Sequence, residues 1–242
     1  MFNRKKKEVS NSFKREDAKK KLGSDSAFVV KEAYNSIRTN LLFTQKGEKC
    51  PIFVVTSPTA NNGKTINSVN LAISYAQMGK KTLIIDSDMR NPTIHRMFNI
   101  PLKDGLSEIL AGITDSISVT STDIENLSVL PSGQIPPNPA ELLGSDRMNK
   151  LLDFVKEHFD CVFIDSPPVN IVTDATIFAS NVTGYILIIK SGVTDREDIK
   201  YSVSTLEQVN ANILGFILND VPLKDGKYYS KYNGKYNYSN YK

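Results

Sequence analysis

The sequence predicts an α/β fold in which helices cover both faces of a mostly parallel sheet. Short, continuously apolar runs alternate with stretches of helical periodicity through the middle of the chain. Strands that are apolar on both faces are typical of parallel sheets buried between helices. Length and composition agree with this fold, because 242 residues with 40% hydrophobic side chains suffice for one large domain.

The apolar runs predict six strands, and the patterns between them predict four longer helices. The strands are expected at residues 52–55, 82–85, 127–130, 161–164, 185–189 and 213–218. The helices are expected at residues 28–43, 64–78, 146–158 and 195–209. Gly79 is the predicted stop signal of the second helix, since glycine adopts the left-handed conformation at helix ends.

The predicted domain covers residues 26–222 and has a tail at each end that we expect to be flexible. Residues 1–25 form a basic arm, in which residues 1–22 hold nine Lys or Arg and three acids, a net charge of +6. This charge is consistent with a solvated arm, and also with contact with anionic lipid headgroups or an acidic partner. Residues 223–242 form a tail of mostly Tyr, Lys, Asn, Ser and Gly, which cannot build a packed core.

Composition and patterning argue against several classes of protein. The two cysteines, Cys50 and Cys161, have no metal-site or redox spacing, which indicates a reducing compartment. No apolar stretch follows the charged N-terminus and no apolar run is long enough for a bilayer, so we expect neither a secretory signal nor a membrane span. Nucleic acid is not an expected partner, because only Phe2 and Phe13 supply aromatic rings to the basic arm.

A phosphate-binding loop is predicted between the first strand and the next helix. Gly63-Lys64-Thr65 stands at the helix start, where backbone N–H groups face phosphates, the lysine adds positive charge and the threonine hydroxyl can ligate magnesium. Pro58 replaces the glycine expected six residues before the lysine. Asn61 stands where another glycine would be comfortable. Asparagine tolerates positive φ best after glycine, so we still expect the loop to form.

Acidic residues follow two further predicted strands. Asp86 and Asp88 come after the second strand, and Asp165 ends the apolar run 161–164. Ligands of parallel sheets bind at the carboxyl ends of the strands, so we expect these acids beside the phosphate loop. By themselves, Asp86 and Asp88 could equally be two carboxylates that face the phosphates, or one capping acid and one solvated acid. Together with Lys64 and a metal, the three acids form the set that phosphoryl transfer needs.

These motifs resemble the three Walker motifs of the bacterial tyrosine kinases of the capsular and exopolysaccharide type. The matching residues are apolar-Asp-x-Asp-x-Arg at 83–90, apolar-Asp-Ser-Pro-Pro at 162–168, the Gly-Lys-Thr loop, the Pro-Pro-Asn-Pro run within 133–143, and the tyrosine-rich C-terminus. The resemblance covers about residues 28–242 and implies a P-loop NTPase-like fold. It also implies magnesium-dependent transfer of phosphate from ATP to tyrosine, and control of polysaccharide synthesis and export.

The resemblance also implies roles for the charged and hydroxyl residues of these motifs. Lys64 and Thr65 would hold the β- and γ-phosphates and magnesium. Asp88 and Asp165 would support the metal and its waters, and Asp86 would take the proton of the tyrosine hydroxyl.

Two further residues have open roles by the same resemblance. Arg90 either neutralises charge in the transition state or forms a salt bridge. Asn219, at the end of the last strand, either contacts adenine or forms a turn. The expected ATP-binding residues are Asn61, Asn62, Gly63, Lys64, Thr65, Ile66 and Asn219.

The tail is the expected substrate of the kinase's own activity. Its acceptors would be Tyr228, Tyr229, Tyr232, Tyr236, Tyr238 and Tyr241. A sticky surface strand and a stacking platform for a sugar or nucleic acid are the alternatives. Each phosphate adds about −1.5 to −2 charges at neutral pH, so a few would reverse the positive charge of the tail and disperse an oligomer.

The family carries a Glu-x-x-Arg-x-x-Arg helix motif that supports ring-shaped oligomers. Here its positions hold Glu32, Asn35 and Arg38, so the first arginine is missing. Glu32 and Arg38 are therefore either oligomer contacts or surface residues of the helix predicted at 28–43. The resemblance implies further partners: a membrane-bound activator and polysaccharide co-polymerase, and a tyrosine phosphatase. It implies a cytoplasmic chain held at the inner face of the cell membrane through that activator.

Two other functions remain open at this point. The first is an ATPase switch of the partitioning or cell-division-positioning class, which typically carries an extra lysine near the loop start, where this chain has Thr59. The second is a non-enzymatic scaffold, which Asn61 and Asn35 would favour as departures from the family pattern. Tail phosphorylation would distinguish the kinase from both.

Overall fold

The computed structural model of the chain describes residues 20–45 and 47–222. Its strands are β1 Ile52–Thr56, β2 Thr82–Asp86, β3 Thr120–Ser121, β4 Leu127–Leu130, β5 Cys161–Asp165, β6 Gly184–Lys190 and β7 Ile213–Asn219. They form one sheet in the order β3-β4-β2-β5-β1-β6-β7. All neighbours are parallel except β3, which runs antiparallel to β4 at the edge. The predicted mostly parallel sheet is confirmed.

Four longer helices were predicted, and all four are confirmed. The helices are α1 Phe28–Thr44, α2 Lys64–Ala76, α3 Ile94–Met97, α4 Leu106–Leu110, α5 Pro139–Leu143, α6 Asp146–His158 and α7 Arg196–Gln208, with a 3₁₀ helix at Thr173–Phe178. Helix α2 ends two residues before the predicted limit. Gly79 then turns the chain with φ 81°, and its N–H donates to the carbonyl of Ala76.

The sheet separates two apolar layers, which explains why its central strands β1, β2, β5 and β6 are mostly apolar along their length. Ile84 faces the layer that contains α1 and α2, whereas its neighbours Leu83 and Ile85 face the layer of α4 to α7. The first layer includes a cluster of the rings of Phe53, Tyr75 and Phe163, with centroids 5.2–6.2 Å apart. Helices therefore cover both faces, as predicted.

The strand order brings the carboxyl ends of β2, β5 and β1 together. Asp86 at the end of β2 is the register partner of Asp165 at the end of β5, and Asp165 is also paired with Val55 of β1. The loops that follow these strands therefore meet at one edge of the sheet, which is where ligands bind in open α/β folds.

The limits of the domain and its two tails stay predictions. Leu22 was assigned to the arm, but its side chain is only 5% exposed and packs in the layer of α1 and α2. Residues 1–19 and the tail 223–242, with its six candidate acceptor tyrosines, lie outside the described residues. Among the residues that the structure does describe, no helix combines the length and the apolar character needed to cross a bilayer.

Candidate active site

The phosphate loop connects β1 to α2 and contains two residues in the left-handed conformation. Asn61 has φ 63°, which confirms that asparagine takes the backbone conformation expected there. Gly63 has φ 87°, and a Cβ atom at this position would collide with the side-chain amide of Asn219. That amide donates to the carbonyl of Asn62 at 2.9 Å. The last strand, β7, therefore helps to hold the loop, and only glycine fits at position 63.

Lys64 lies between two of the predicted carboxylates. Its Nζ is 2.9 Å from Asp88 Oδ2 and 3.5 Å from Asp165 Oδ2. Burial by itself lowers the pKa of Lys64, but the carboxylates of Asp165 and Asp88 outweigh it and raise this pKa above its usual value. The ammonium group therefore stays charged at neutral pH, as a phosphate-binding lysine must.

Asp165 is fully buried and accepts hydrogen bonds from two hydroxyl groups of α2. Thr65 Oγ1 donates to Asp165 Oδ2 at 2.7 Å, and Ser68 Oγ donates to Asp165 Oδ1 at 3.0 Å. Burial raises the pKa of Asp165, and the Lys64 ammonium opposes that rise. Ser68 was missed at the sequence level, although its position three residues after Thr65 places both on one helix face.

Asp86 has two carboxylate oxygens in different surroundings. Oδ2 accepts the backbone N–H groups of Thr93, at 3.1 Å, and Ile94, at 3.0 Å, and so caps the start of α3. Oδ1 is buried and has no hydrogen-bond partner in the part of the chain that the structure describes. Burial, reinforced by the charge of Asp165, raises the pKa of Asp86 to about 7. The alternative of one capping and one solvated acid is thus half right: Asp86 caps, while Asp88 is bound by Lys64.

Arg90 forms a salt bridge, which was one of its two predicted roles. Its Nε and Nη2 donate to both carboxylate oxygens of Asp174, at 2.9 and 3.0 Å. Asp174 is fully buried in the 3₁₀ helix after β5, so the pair ties the loop after β2 to the segment after β5. The bidentate bond also raises the pKa of Arg90. No motif in the sequence pointed to Asp174.

The predicted oligomer residues occupy different environments on α1. Glu32 is exposed and accepts a hydrogen bond from Asn35 at 3.0 Å. Arg38 is half-buried and donates to the carbonyl and the hydroxyl of Ser74 on α2, at 2.7 and 3.1 Å. Arg38 therefore contributes to packing between α1 and α2, and its role in an oligomer stays a prediction.

The segment 133–143, which contributed to the resemblance, is fixed to α4 by Glu108. This buried carboxylate accepts the N–H groups of Gly105 and Gln134, both at 2.9 Å. Burial would raise its pKa, but these N–H groups lower it, so the group stays ionised at neutral pH. Segment 133–143 follows β4, the sheet neighbour of β2, and so lies at the same edge as the acids.

The residues present fit a magnesium ion bound together with phosphates. Within residues 20–45 and 47–222, no three acidic, histidine or cysteine side chains form a closed metal cage. Magnesium does not need one, because it usually takes one or two carboxylates, substrate phosphates and water. Thr65 and Asp165 offer adjacent oxygens, and the carboxylate of Asp88 lies with that of Asp165 against Lys64. The arrangement suits binding and transfer of a phosphoryl group.

Comparison with known proteins gives consistent results. A family model described as an AAA domain matches residues 55–216. The putative tyrosine-protein kinase CapB of Staphylococcus aureus is 38% identical over 205 residues, which cover 84% of this chain and 90% of that protein. The solved kinase domain of the Escherichia coli tyrosine kinase ETK is 36% identical with a TM-score of 0.76, over 79% of this chain and 75% of that one.

A more distant structure shares the fold alone. The septum site-determining protein MinD of Pyrococcus horikoshii, solved with Mg-ADP, has a TM-score of 0.60 and 22% identity, over 72% of this chain and 75% of that one. The likeness to this division-positioning protein therefore extends to the fold only.

Proposed function

The chain belongs to the family of bacterial tyrosine-protein kinases, and from that premise we propose how it transfers phosphate from ATP to tyrosine. The observation that carries the mechanism is the convergence of one ammonium group and three carboxylates at the ends of neighbouring strands. Lys64 contacts Asp88 and Asp165, and Asp86 is the register partner of Asp165. This is the group of charges that phosphoryl transfer requires around the γ-phosphate.

The phosphate loop binds the triphosphate in this proposal. The N–H groups of the loop and of the first turn of α2 donate to phosphate oxygens, and Lys64 Nζ moves from the carboxylates to the β- and γ-phosphates. Thr65, Asp88 and Asp165 would hold magnesium, which neutralises charge on the phosphates when bound. Asn219 lies against the loop carbonyl of Asn62 and is the proposed neighbour of adenine.

Asp86 is the proposed acceptor of the tyrosine proton. The phenol oxygen bonds to the γ-phosphorus, the bond to the β,γ-bridging oxygen breaks, and ADP leaves with that electron pair. The phenol proton goes to Asp86 Oδ1. Tyrosine has a pKa of about 10, so the proton is transferred late and positioning matters more than basicity. Asp86 is fully buried, so its Oδ1 has to become accessible before the phenol can reach it.

The substrates and partners are proposed on the basis of the family. The acceptors are the six tail tyrosines, Tyr228 to Tyr241, in the chain itself or in a second copy. We propose a homo-oligomer with Glu32 and Arg38 at its contacts, and a membrane-bound activator that holds the chain at the inner face of the membrane. A phosphatase would reverse the modification, and polysaccharide synthesis and export would be the process controlled.

Mass spectrometry of the purified chain after incubation with magnesium and ATP tests this function. We expect phosphate on the tail tyrosines of the wild type and none in Lys64→Met, because the ammonium group is lost from the triphosphate site. Lys150→Met, which changes an exposed lysine of α6, serves as the control and should be phosphorylated normally. ATP hydrolysis without phosphate on the tail would instead support an ATPase switch. The absence of both hydrolysis and tail phosphate would support a scaffold.

The roles of the acids are separated by two further variants. Asp86→Asn should lower the transfer rate by about 10²–10⁴-fold, the usual contribution of a positioned base, while calorimetry shows ATP binding nearly unchanged. Asp88→Asn should weaken binding of magnesium and ATP. If Asp88→Asn still binds magnesium and ATP but loses phosphate transfer, and Asp86→Asn keeps phosphate transfer, the base is Asp88.

A further inference from the structure

A second set of polar side chains lies behind the phosphate loop, between α1 and α2. It consists of Tyr34 on α1 and of Asn67 and Asn70, one turn apart on α2. The hydroxyl of Tyr34 donates to Asn67 Oδ1 at 3.0 Å and accepts from Asn70 Nδ2 at 3.1 Å. These three residues take no part in the mechanism above, and the motifs do not include them.

This set connects two distant parts of the backbone. At one end, the N–H of Leu22 donates to Asn70 Oδ1 at 2.8 Å, and Asn70 Nδ2 also donates to the carbonyl of Lys20 at 3.2 Å. At the other end, Asn67 Nδ2 donates to the carbonyl of Gly63 at 2.8 Å. A continuous series of hydrogen bonds therefore links the segment 20–22 to the phosphate loop.

The direction of every bond in the series follows from its ends. Because the N–H of Leu22 can only donate, Asn70 Oδ1 must accept, and Asn70 Nδ2 then faces the Tyr34 hydroxyl. The hydroxyl accepts there, so its own proton goes to Asn67 Oδ1. This leaves Asn67 Nδ2 to donate to Gly63, whose carbonyl accepts. Hydrogen bonds aligned in this way polarise one another, so each depends on the others.

Burial makes the loss of any member costly. Asn67 is 3% exposed and Asn70 is 2% exposed, so water cannot readily replace a missing partner. Burial raises the pKa of Tyr34, although its bond with Asn70 opposes this, and the hydroxyl keeps its proton. Gly63 is the residue with φ 87° at the start of α2, so a shift of its carbonyl changes the orientation of the loop N–H groups.

We propose that Tyr34 is a positioning residue for ATP. Through its hydrogen bonds, the attachment of the segment 20–22 to α2 determines the orientation of the phosphate loop. The inference rests on ATP binding at that loop, as proposed above. When Leu22 is attached, the series holds Gly63 in the orientation that binds phosphate. By thermodynamic linkage, bound ATP stabilises the attachment of Leu22 by the same factor. A partner that draws the basic arm away from the domain thus weakens ATP binding.

Calorimetry of ATP binding to Tyr34→Phe tests the inference, with Tyr75→Phe as the matched control. Tyr75 is a buried tyrosine of α2 itself, and its hydroxyl accepts from Gln45 at the far end of that helix. We expect Tyr34→Phe to weaken the binding of Mg-ATP on the order of fivefold, within the usual range of coupling between sites. The transfer rate at saturating ATP should stay close to that of the wild type. Equal affinities of Tyr34→Phe and Tyr75→Phe would overturn the inference.

Hydrogen exchange supplies a second measurement, and its first part uses the wild type alone. Mg-ATP should slow exchange of the Leu22 amide in the wild type, and this protection should disappear in Tyr34→Phe. Unchanged exchange of Leu22 in an ATP-saturated wild type refutes the coupling. The proposed function fails separately, through a wild type that binds no Mg-ATP or that places no phosphate on its tail tyrosines.

Discussion

Asp86 uses one carboxylate oxygen for the fold and leaves the other for chemistry. Its Oδ2 fixes the start of α3 through two backbone N–H groups, which sets the orientation of the whole carboxylate. Its Oδ1 is buried and finds no partner among the described residues. Removing an ionised oxygen from water costs free energy, and the folded chain recovers part of it by holding a proton there. Proton affinity at this residue is therefore built into the fold.

The stability of the chain should fall as pH rises, because of Asp86. The pKa of Asp86 is raised from 3.8 in an ordinary setting to about 7 in the folded chain. The folded state therefore binds the proton more tightly, and stability is lost between about pH 4 and pH 7. Asp86→Asn removes this loss, so its melting temperature should exceed that of the wild type by more at about pH 8 than at about pH 5. Each kcal/mol of difference in the free energy of unfolding is expected to shift the melting temperature by about 2–4 °C.

Thermal unfolding at the two pH values measures this effect. Asp153→Asn, a change of an exposed carboxylate on α6, is the control and should follow the wild type at both. A gap between Asp86→Asn and the wild type that stays constant with pH would show that Asp86 does not titrate in this range.

At the scale of elements, the short α4 acts as an anchor for the segment after β4. The N–H groups of Leu106 and Ser107 donate to the carbonyls of Pro131 and Ser132, both at 2.8 Å. Glu108 accepts from Gln134 beyond them. The first turn of α4, whose N–H groups have no partners within the helix, is thus satisfied by the neighbouring segment. This segment is therefore held by backbone hydrogen bonds and by the carboxylate of Glu108.

Gly133→Ala should release this anchor. Gly133 has φ 77°, and a Cβ atom there would collide with the carboxylate of Glu108 and the hydroxyl of Ser107. Gly79→Ala is the matched control, because Gly79 has φ 81° and no described atom within 4 Å of the added Cβ. Gly79→Ala should lower the free energy of unfolding by about 1–2 kcal/mol, the cost of the left-handed backbone alone.

Overpacking should add about 1–3 kcal/mol to the cost of Gly133→Ala. Urea unfolding of both variants measures the difference. Equal losses in the two variants would mean that Glu108 moves away without cost, and that the anchor is weak.

The longer elements were predictable because their pattern is local. Each inner strand is buried on both faces, so a run of apolar residues is enough to predict it, as in Leu83 to Ile85. Helix α3 and the 3₁₀ helix are too short to show a period, and tertiary contacts such as the capping by Asp86 define them. In the site, Lys64 and the three acids could be found because each follows a strand.

The remaining site residues could not be found because their partners are remote in sequence. Asp174 is 84 residues from Arg90, and Tyr34 is 33 residues from Asn67. Neither has a local pattern, and only the folded chain brings each pair together.

At the scale of the whole molecule, the site is formed by segments that are far apart in the sequence. The charged groups come from the start of α2, from the end of β2 with the loop after it, and from the end of β5, and β7 contributes Asn219. A ligand that binds to all of them connects segments separated by more than 150 residues, with Asn219 157 residues from Asn62. Such binding stabilises the folded chain by an amount that grows with the logarithm of the ligand concentration divided by the Kd.

Removal of magnesium should therefore lower the stability of the ATP-bound chain. We expect ATP to raise the melting temperature more with magnesium than with EDTA. Thr65→Val, which removes the hydroxyl beside Asp165, should lose about tenfold in magnesium-dependent affinity, or about 1.4 kcal/mol. Thr205→Val, a change of a half-buried threonine on α7 whose hydroxyl donates to the carbonyl of Tyr201, is the control and should behave as the wild type. A full magnesium effect in Thr65→Val would exclude its hydroxyl as a ligand.

The contact between Asn219 and the phosphate loop also determines how far the acceptors can travel. Tyr228, the first candidate acceptor, comes nine residues after Asn219 in the sequence. A tether of that length spans at most about 30 Å even when fully extended. Its phenol can thus be delivered only to a γ-phosphate that lies within this length plus one tyrosine side chain of Asn219. This sets an upper limit on the spacing between kinase copies that phosphorylate one another at this tyrosine.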